Sequence, residues 1–284
     1  MTQGVLLFAN NNKQIDYVKQ AIYCAKKIKK HLGVSVALVT ENADYLYKTY
    51  PFYSKYIEHV IPVERTNTDQ QRGFRDGVYS KKVLEWKNHS RSDCYDLTPF
   101  DETIVMDTDY IICNNHLKNA YNSQEDFLIY KNFIDVSPGR NLASLRRVSD
   151  RSIDMWWATV FYFKKNENMK FFFDLVKHIK ENWNFYRLTY QIANRNFRND
   201  FAFSIAIHIL NGFENTNWPK PLPGKMYLST DIDIVTDAKD DSFTVLTDLK
   251  ETGMYRAVKV KDSNFHIMNK FSLGRIIDEE FANE

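Results

Sequence analysis

The stretch Thr103-Ile104-Val105-Met106-Asp107-Thr108-Asp109-Tyr110-Ile111-Ile112 decides how this chain is read. An apolar run short enough for a buried strand ends in two carboxylates spaced two apart. On an extended backbone residues i and i+2 point the same way, so Asp107 and Asp109 are expected to face one cation while Thr108 turns aside. Carboxylate oxygens are hard ligands suited to Mg²⁺ or Mn²⁺, ions commonly held by one or two carboxylates together with substrate phosphates. An isolated D-x-D is more often a strand-end turn with solvated aspartates, so the rest of the sequence has to decide.

Toward the N-terminus, Val5 to Ala9 reads as a buried strand and Ile15 to Leu32 as a helix stopped at Gly33. Val34 to Thr40 is a second strand, Asp44 to Tyr56 a helix broken at Pro51, and Ile57 to Val63 a third strand. This alternation predicts an α/β fold with a Rossmann-type mixed sheet flanked by helices. Glu64 to Gly77 is polar and reads as a mobile loop over one edge of a site, and Val78 to Asn88 reads as a helix. Past the carboxylates, Phe127 to Tyr130 and Met155 to Phe163 read as strands. Met169 to Trp183 and Phe201 to Leu210 read as helices, and short strands follow near Phe243 to Leu246 and Tyr255 to Val260. With no repeat and no linker, residues 1–284 are expected to form one domain.

A chain of 284 residues, 44% hydrophobic and 26% charged, has the makings of a substantial core. Its net charge of +2 gives the whole molecule no strong field toward a highly charged partner. Cys24, Cys94 and Cys113 lack paired metal spacing and read as reduced thiols. No basic leader precedes the first apolar run, which ends at Asn10, and Phe201 to Leu210 is too short to span a membrane. A cytoplasmic protein is therefore expected, in a host cytoplasm if the chain is viral, and the sequon Asn88-His89-Ser90 reads as a chance match. The chain has no G-x-G-x-x-G after its first strand, no P-loop and no H-E-x-x-H, which removes the main support for dinucleotide oxidoreductases, P-loop enzymes and zincins. Ala9-Asn10-Asn11-Asn12 follows that strand instead, with amides suited either to a base or ribose or to capping a helix.

Several of these segments, in order, resemble the metal-dependent GT-A glycosyltransferases, especially the retaining glycogenin and galactosyltransferase-type family. Leu7 to Asn11 followed by Asp16 to Ala21 is similar to that family's first strand and helix, which implies donor contacts from Ala9, Asn10, Asn11 and Tyr17. Ser80 to Trp86 resembles the Lys-bearing helix ahead of the metal motif, implying that Lys81 or Lys82 approaches the donor sugar and phosphate. Asp96 to Asp109 resembles the approach to the family's D-x-D, with Asp107 and Thr108 beside the donor. His266, followed by Lys270, resembles the C-terminal metal ligand and diphosphate lysine. The resemblance implies a UDP-sugar donor, Mn²⁺ or Mg²⁺ on Asp107, Asp109 and His266, a donor-binding part over about 1–115 and a closing, acceptor-side part over about 116–284. The first strand-to-helix spacing is longer than the family's, and the C-terminal motif lacks its Gly.

The chemistry agrees with that likeness: transfer from a nucleotide diphosphate needs positive charge at the leaving diphosphate. Asp231-Ile232-Asp233 is a rival D-x-D, but it follows a Pro-rich segment and reads as a turn or a solvated acidic stretch. Asp200 opens an apolar helix; it is either a first-turn acid or, by the resemblance, the acid near the reacting carbon. It would then position the acceptor in a retaining enzyme or act as general base in an inverting one. Of Trp156 and Trp157, one is expected to stack on a sugar or base while the other packs inside, although two core aromatics is the commoner arrangement. Arg140, Arg146, Arg147 and Arg151 form a basic segment that, with Arg195 and Arg198, would favour phosphate contacts. The acceptor is accordingly expected to be a glycan, a small hydroxyl compound or a hydroxymethylated base in bacteriophage DNA, the last requiring base extrusion. Two readings of other classes remain beside a hexosyl- or pentosyltransferase: a sugar-phosphate nucleotidyltransferase, which should carry a Gly-rich basic loop after its first strand, and a non-catalytic nucleotide-sugar binder.

Overall fold

A computed structural model describes residues 1–64, 68, 70–87, 90–138, 140–214, 218–239, 241–248 and 254–282. Asn88 and His89 of the sequon and parts of the expected 64–77 loop lie outside the described residues. The chain opens with β1 (Gln3–Phe8), α1 (Tyr17–His31), β2 (Ser35–Thr40), α2 (Ala43–Thr49) and β3 (His59–Pro62). Next come β4 (Gln71–Arg75), β5 (Lys81–Glu85), α3 (Cys94–Leu97), β6 (Glu102–Met106), β7 (Tyr110–Ile111), β8 (Phe127–Tyr130) and β9 (Ile134–Asp135). The remainder holds β10 (Trp157–Lys164), α4 (Glu167–Glu181), α5 (Trp183–Thr189) and α6 (Asn199–Leu210). It closes with β11 (Tyr227–Ser229), β12 (Ile234–Lys239), β13 (Ser242–Asp248), β14 (Tyr255–Lys261), β15 (Phe265–Ile267) and α7 (Lys270–Phe281).

The main sheet has the order β3-β2-β1-β6-β10-β8, parallel from β3 to β6 and antiparallel from β6 to β8. The expected α/β fold with a mixed sheet between helices is thus the one observed. Near-continuous apolar runs make sense of the centre: Val5 to Leu7 and Ile104 to Met106 are fully buried because helices cover both faces of a parallel sheet. Each such side chain stabilises the fold by roughly 1.5–3 kcal/mol when buried. Beyond β10, an aromatic cluster welds α4 and α6 to the sheet, with Phe127 and Phe172, and Phe161 and Phe203, each 4.8 Å apart between ring centroids. That packing fixes where α6 begins, and so where Asp200 sits.

The chain passes from β1 to β2 on one side of β1 and to β6 on the other, so the carboxyl ends of β1 and β6 meet at a switch in strand order. In open α/β sheets a crevice forms at such a point. A smaller sheet of order β7-β15-β11-β9 stands beside it, and β12-β13-β14 form a third.

The 64–88 region departs from expectation. Residues 71–85 fold as the antiparallel hairpin β4–β5, so the expected helix over Val78 to Asn88 is absent among the described residues and the expected loop is partly strand. Lys81 to Trp86 has good helix formers, but tertiary contacts override that local preference. Gly77, at φ +80°, sits in the connecting turn, Tyr255 Oη accepts from Val78 N–H at 3.1 Å, and Asp76 pairs bidentately with Arg275 of α7 at 2.7 and 2.9 Å. Several further elements escape the sequence reading, among them α5, β11, β12 and the C-terminal helix α7.

Candidate active site

An open cleft of about 1070 Å³ lies at the carboxyl ends of β1 and β6. The two carboxylates reach it in a way the strand geometry does not predict. β6 ends at Met106, and Asp107 to Tyr110 form a tight turn in which Tyr110 N–H donates to Asp107 O at 3.1 Å. Asp107 N–H in turn donates to Thr159 O of β10 at 2.8 Å. Because the motif is a turn and not a strand, Thr108 does not turn away; it lines the cleft with Asp107 and Asp109. The smaller sheet then delivers a third candidate ligand: β15 pairs with β7, placing His266 opposite Tyr110, and Ile267 N–H donates to Asp109 O at 2.9 Å. One ligand atom from each of Asp107, Asp109 and His266 lies within 4.8 Å of the others.

Strong charges surround these carboxylates. Arg91 pairs with Asp107 Oδ1, and Lys270 pairs with Asp109 Oδ2, which also meets His266 Nε2 at 3.2 Å. Burial alone would raise the Asp109 carboxyl, but the Lys270 ammonium and His266 outweigh it and hold the group far below the usual carboxylate range. The second oxygen of each aspartate makes no hydrogen bond among the described residues. Hard oxygens, an imidazole nitrogen and a partly open cleft fit a divalent ion such as Mg²⁺ or Mn²⁺.

Arg91 was missed by the sequence reading, for no local pattern marks it. Its guanidinium bridges Asp107 and Ala158 O, the latter at 2.9 Å. The N–H of that same Ala158 donates to Asp200 Oδ1 at 2.9 Å, and Arg198 donates to Asp200 Oδ2 at 2.8 Å. One strand residue thus ties the metal motif to the acid at the start of α6. The hairpin adds Arg72, Phe74 and Trp86 to the cleft wall, with the Arg72 guanidinium 5.5 and 5.3 Å from the Phe74 and Trp86 ring centres. The only local signal for these was Asp76-Gly77, a turn-prone pair inside the 76–80 connection of the hairpin.

The other expected site residues divide. Asn10 and Tyr17 line the cleft, and burial pushes the Tyr17 phenol well above its ordinary pKa. Ala9 is buried behind them. Asn11 serves the helix: its Oδ1 accepts from Val18 N–H at 2.9 Å and its Nδ2 donates to Asp16 at 3.0 Å. Lys81 and Lys82 stand on an exposed strand and are not among the cleft-lining residues. Lys82 shares a hairpin face with Phe74, while its ammonium lies 5.2 Å from the Phe271 ring centre. Trp157 is buried in the cleft wall with its Nε1–H lacking an acceptor among the described residues, whereas Trp156 borders a different cavity.

The arginine segment does not act as one basic face. Arg140 is held by Asp135 and Asp233, Arg146 stacks over Phe133 at 4.9 Å, and Arg147 lies 4.0 Å from Asp154. None of the three lines the cleft; Arg198 does. The rival Asp231-Ile232-Asp233 is not a solvated stretch, since Asp233 is fully buried.

The sequence matches no protein-family model and no curated protein. Among solved structures it is similar to the glycosyltransferase GlyE of Streptococcus pneumoniae TIGR4, with 10% identity over 74% of this chain and 43% of that one and a TM-score of 0.42. It is similar to the galactosyltransferase LgtC in complex with donor and acceptor sugar analogues, with 10% identity over 71% and 70% of the two chains and a TM-score of 0.42. The mannosyltransferase PcManGT of Pyrobaculum calidifontis, in complex with GDP-Man and Mn²⁺, is similar at 11% identity over 62% and 46% with a TM-score of 0.35. The chain spans less than half the length of the first of these. None of the TM-scores reaches 0.5, so the geometry of the cleft carries the functional reading that follows. No helix among the described residues is long and apolar enough to cross a membrane.

Proposed function

We propose that this chain is a GT-A-type glycosyltransferase that moves a sugar from a nucleotide diphosphate donor, UDP-linked in the first instance, to a hydroxyl acceptor with the help of Mn²⁺ or Mg²⁺. The observation that carries the reading is the convergence of Asp107, Asp109 and His266 in a cleft at the strand-order switch. These three residues would hold the ion, which when bound offsets the charge developing on the leaving diphosphate. Lys270, already beside Asp109, supplies a second positive charge on that side. Asn10 and Tyr17 present an amide and an aromatic ring at the end of β1, suited to a nucleoside. Asp200 has both oxygens engaged, by Ala158 N–H and Arg198, which favours holding an acceptor hydroxyl or facing developing positive charge over taking a proton.

The test is a panel of UDP- and GDP-sugars with Mn²⁺ or Mg²⁺, followed for slow donor hydrolysis and then for transfer to glycans, small hydroxyl compounds and hydroxymethylated DNA. Metal-dependent hydrolysis of one donor is expected. Hydrolysis undiminished after exhaustive chelation defeats the metal part of the reading, and no binding of any nucleotide sugar defeats the whole.

A further inference from the structure

A second, shallow and open pocket lies apart from the cleft and is bordered by Lys131, Asp154, Trp156, His208, Asn211 and Trp218. Its position relative to the cleft follows from α6. Asp200, Ser204, His208 and Asn211 are spaced by four, four and three residues, so they run along one helix face. Asp200 lines the cleft and the other three line the second cavity. At the helical rise, His208 stands about 12 Å along the axis from Asp200. The strand side repeats the arrangement: Trp157 lines the cleft, and its neighbour Trp156 lines the second cavity. Ser204 joins the two walls, its Oγ donating to Asp200 O at 2.6 Å and accepting from Trp156 N–H at 2.8 Å.

The chemistry of the second cavity is that of a neutral, hydroxyl-rich ligand. Two indoles give apolar faces for the C–H side of a ring, and polar groups surround them, although Asn211 Nδ2 already donates to Trp218 O at 2.8 Å and His208 Nδ1 meets Tyr190 Oη at 3.0 Å. Its charges balance. The Lys131 ammonium sits 2.7 Å from Asp154 and 5.4 Å from the Trp156 ring centre, Arg147 approaches Asp154, and Glu214 is exposed at the rim. Two cations against two acids give little attraction for a phosphate backbone, which binds mainly through unpaired Lys and Arg. We propose that this cavity is a distal subsite for one neutral sugar ring of an extended glycan acceptor, whose reacting hydroxyl lies in the cleft beside Asp200. The acceptor half of the proposal rests on the glycosyl-transfer reading of the cleft.

An array of neutral glycans of one to five residues, followed by calorimetric titration of the best binder and its parent monosaccharide, tests it on the full chain. A glycan of two or more residues is expected to bind at least about tenfold more tightly than its monosaccharide, the scale of one aromatic contact. Trp156→Ala should abolish that advantage. Glu214→Lys, an exposed change that leaves the packing alone, should reduce it. Equal affinity for short and long glycans overturns the proposal, as does an advantage that survives both substitutions. So does preferential, salt-dependent binding of a hydroxymethylcytosine oligonucleotide. Donor hydrolysis by the unmodified protein reports on the cleft separately. Length-dependent glycan binding without any donor hydrolysis keeps the subsite and overturns the reading of the cleft.

Discussion

Asp107-Thr108-Asp109 and Asp231-Ile232-Asp233 are the same pattern with opposite fates. In the second, the Asp233 carboxylate accepts from Arg140 through two bonds of 2.8 Å, from Thr230 N–H at 2.8 Å and Oγ1–H at 3.1 Å, and from Asp248 N–H at 3.3 Å. Arg140 also grips Asp135, at 2.6 and 2.8 Å. Asp231 accepts from Arg75 N–H at 3.2 Å. Backbone amides cannot step aside without undoing the turn they belong to, so this pair is a structural brace. The brace has an indirect link to the cleft: Asp233 O accepts from Asn269 Nδ2 at 2.7 Å, and Asn269 caps the helix that begins with Lys270. In the first pair the main partners are long side chains, Arg91 and Lys270, which can rotate when a more highly charged cation arrives. Of the two, only the first pair, with exchangeable counter-charges and an open cleft, is arranged so that it could admit an ion.

The sharpest way to break this contrast is Asp109→Asn against Asp233→Asn. Asp109→Asn should lower donor hydrolysis per folded molecule by about 10²–10³-fold, the scale of one lost charge-stabilising group. If Asp233→Asn instead gave the larger drop in activity per folded molecule, the metal site would belong to the second pair. Next in size, Asp233→Asn should cost about 3 kcal/mol or more in urea unfolding, because Arg140 loses half of its buried counter-charge. A loss below about 0.5 kcal/mol would show that the pair is not a brace.

A third comparison concerns the cations. Arg91→Ala should reduce hydrolysis about tenfold or more by breaking the link through Ala158 that ties Asp107 to Asp200. Lys81→Ala, on an exposed strand, should stay within about 0.5 kcal/mol in stability and about twofold in rate. Equal effects would return the hairpin lysines to the donor site. A further small effect is expected at Asp241, an acid outside both motifs. Burial would raise its carboxyl, but Lys30, His31 and Lys27 bring it down to about 2. A depressed carboxylate contributes stability above its unfolded pKa and loses it as pH falls through the folded one. Asp241→Asn should therefore lower the melting temperature at pH 7, by an amount worth about 1 kcal/mol or less, and by progressively less as pH falls through 2. A deficit as large at pH 2 as at pH 7 would point to lost packing.

Local sequence determined a good deal of this protein. Buried strands announce themselves as apolar runs, and α1 announces both ends, with Asp16 accepting from Lys19 N–H at 2.9 Å and Gly33 at φ +66° past its C-terminus. These depend on neighbours a few residues away, so periodicity and capping chemistry suffice to place them. The 71–85 hairpin did not yield, because its partners are Tyr255, Asp231 and Arg275, far along the chain, and a run such as Lys81 to Trp86 is a competent helix until those contacts exist. The cleft divides the same way. Asp107 and Asp109 stand out as two acids after a buried strand, while Arg91 and Arg72 are ordinary basic residues until folding brings them to the cleft wall. Likewise, nothing local separates Trp156 from Trp157; alternate strand positions face opposite ways, and only the packing of α6 against β10 assigns one to the cleft and the other to the second cavity. What the sequence determined by itself is chemistry set by near neighbours. What the tertiary structure alone decided is which acids and cations meet, since the free energy of a buried charge depends on partners that only the fold brings within reach.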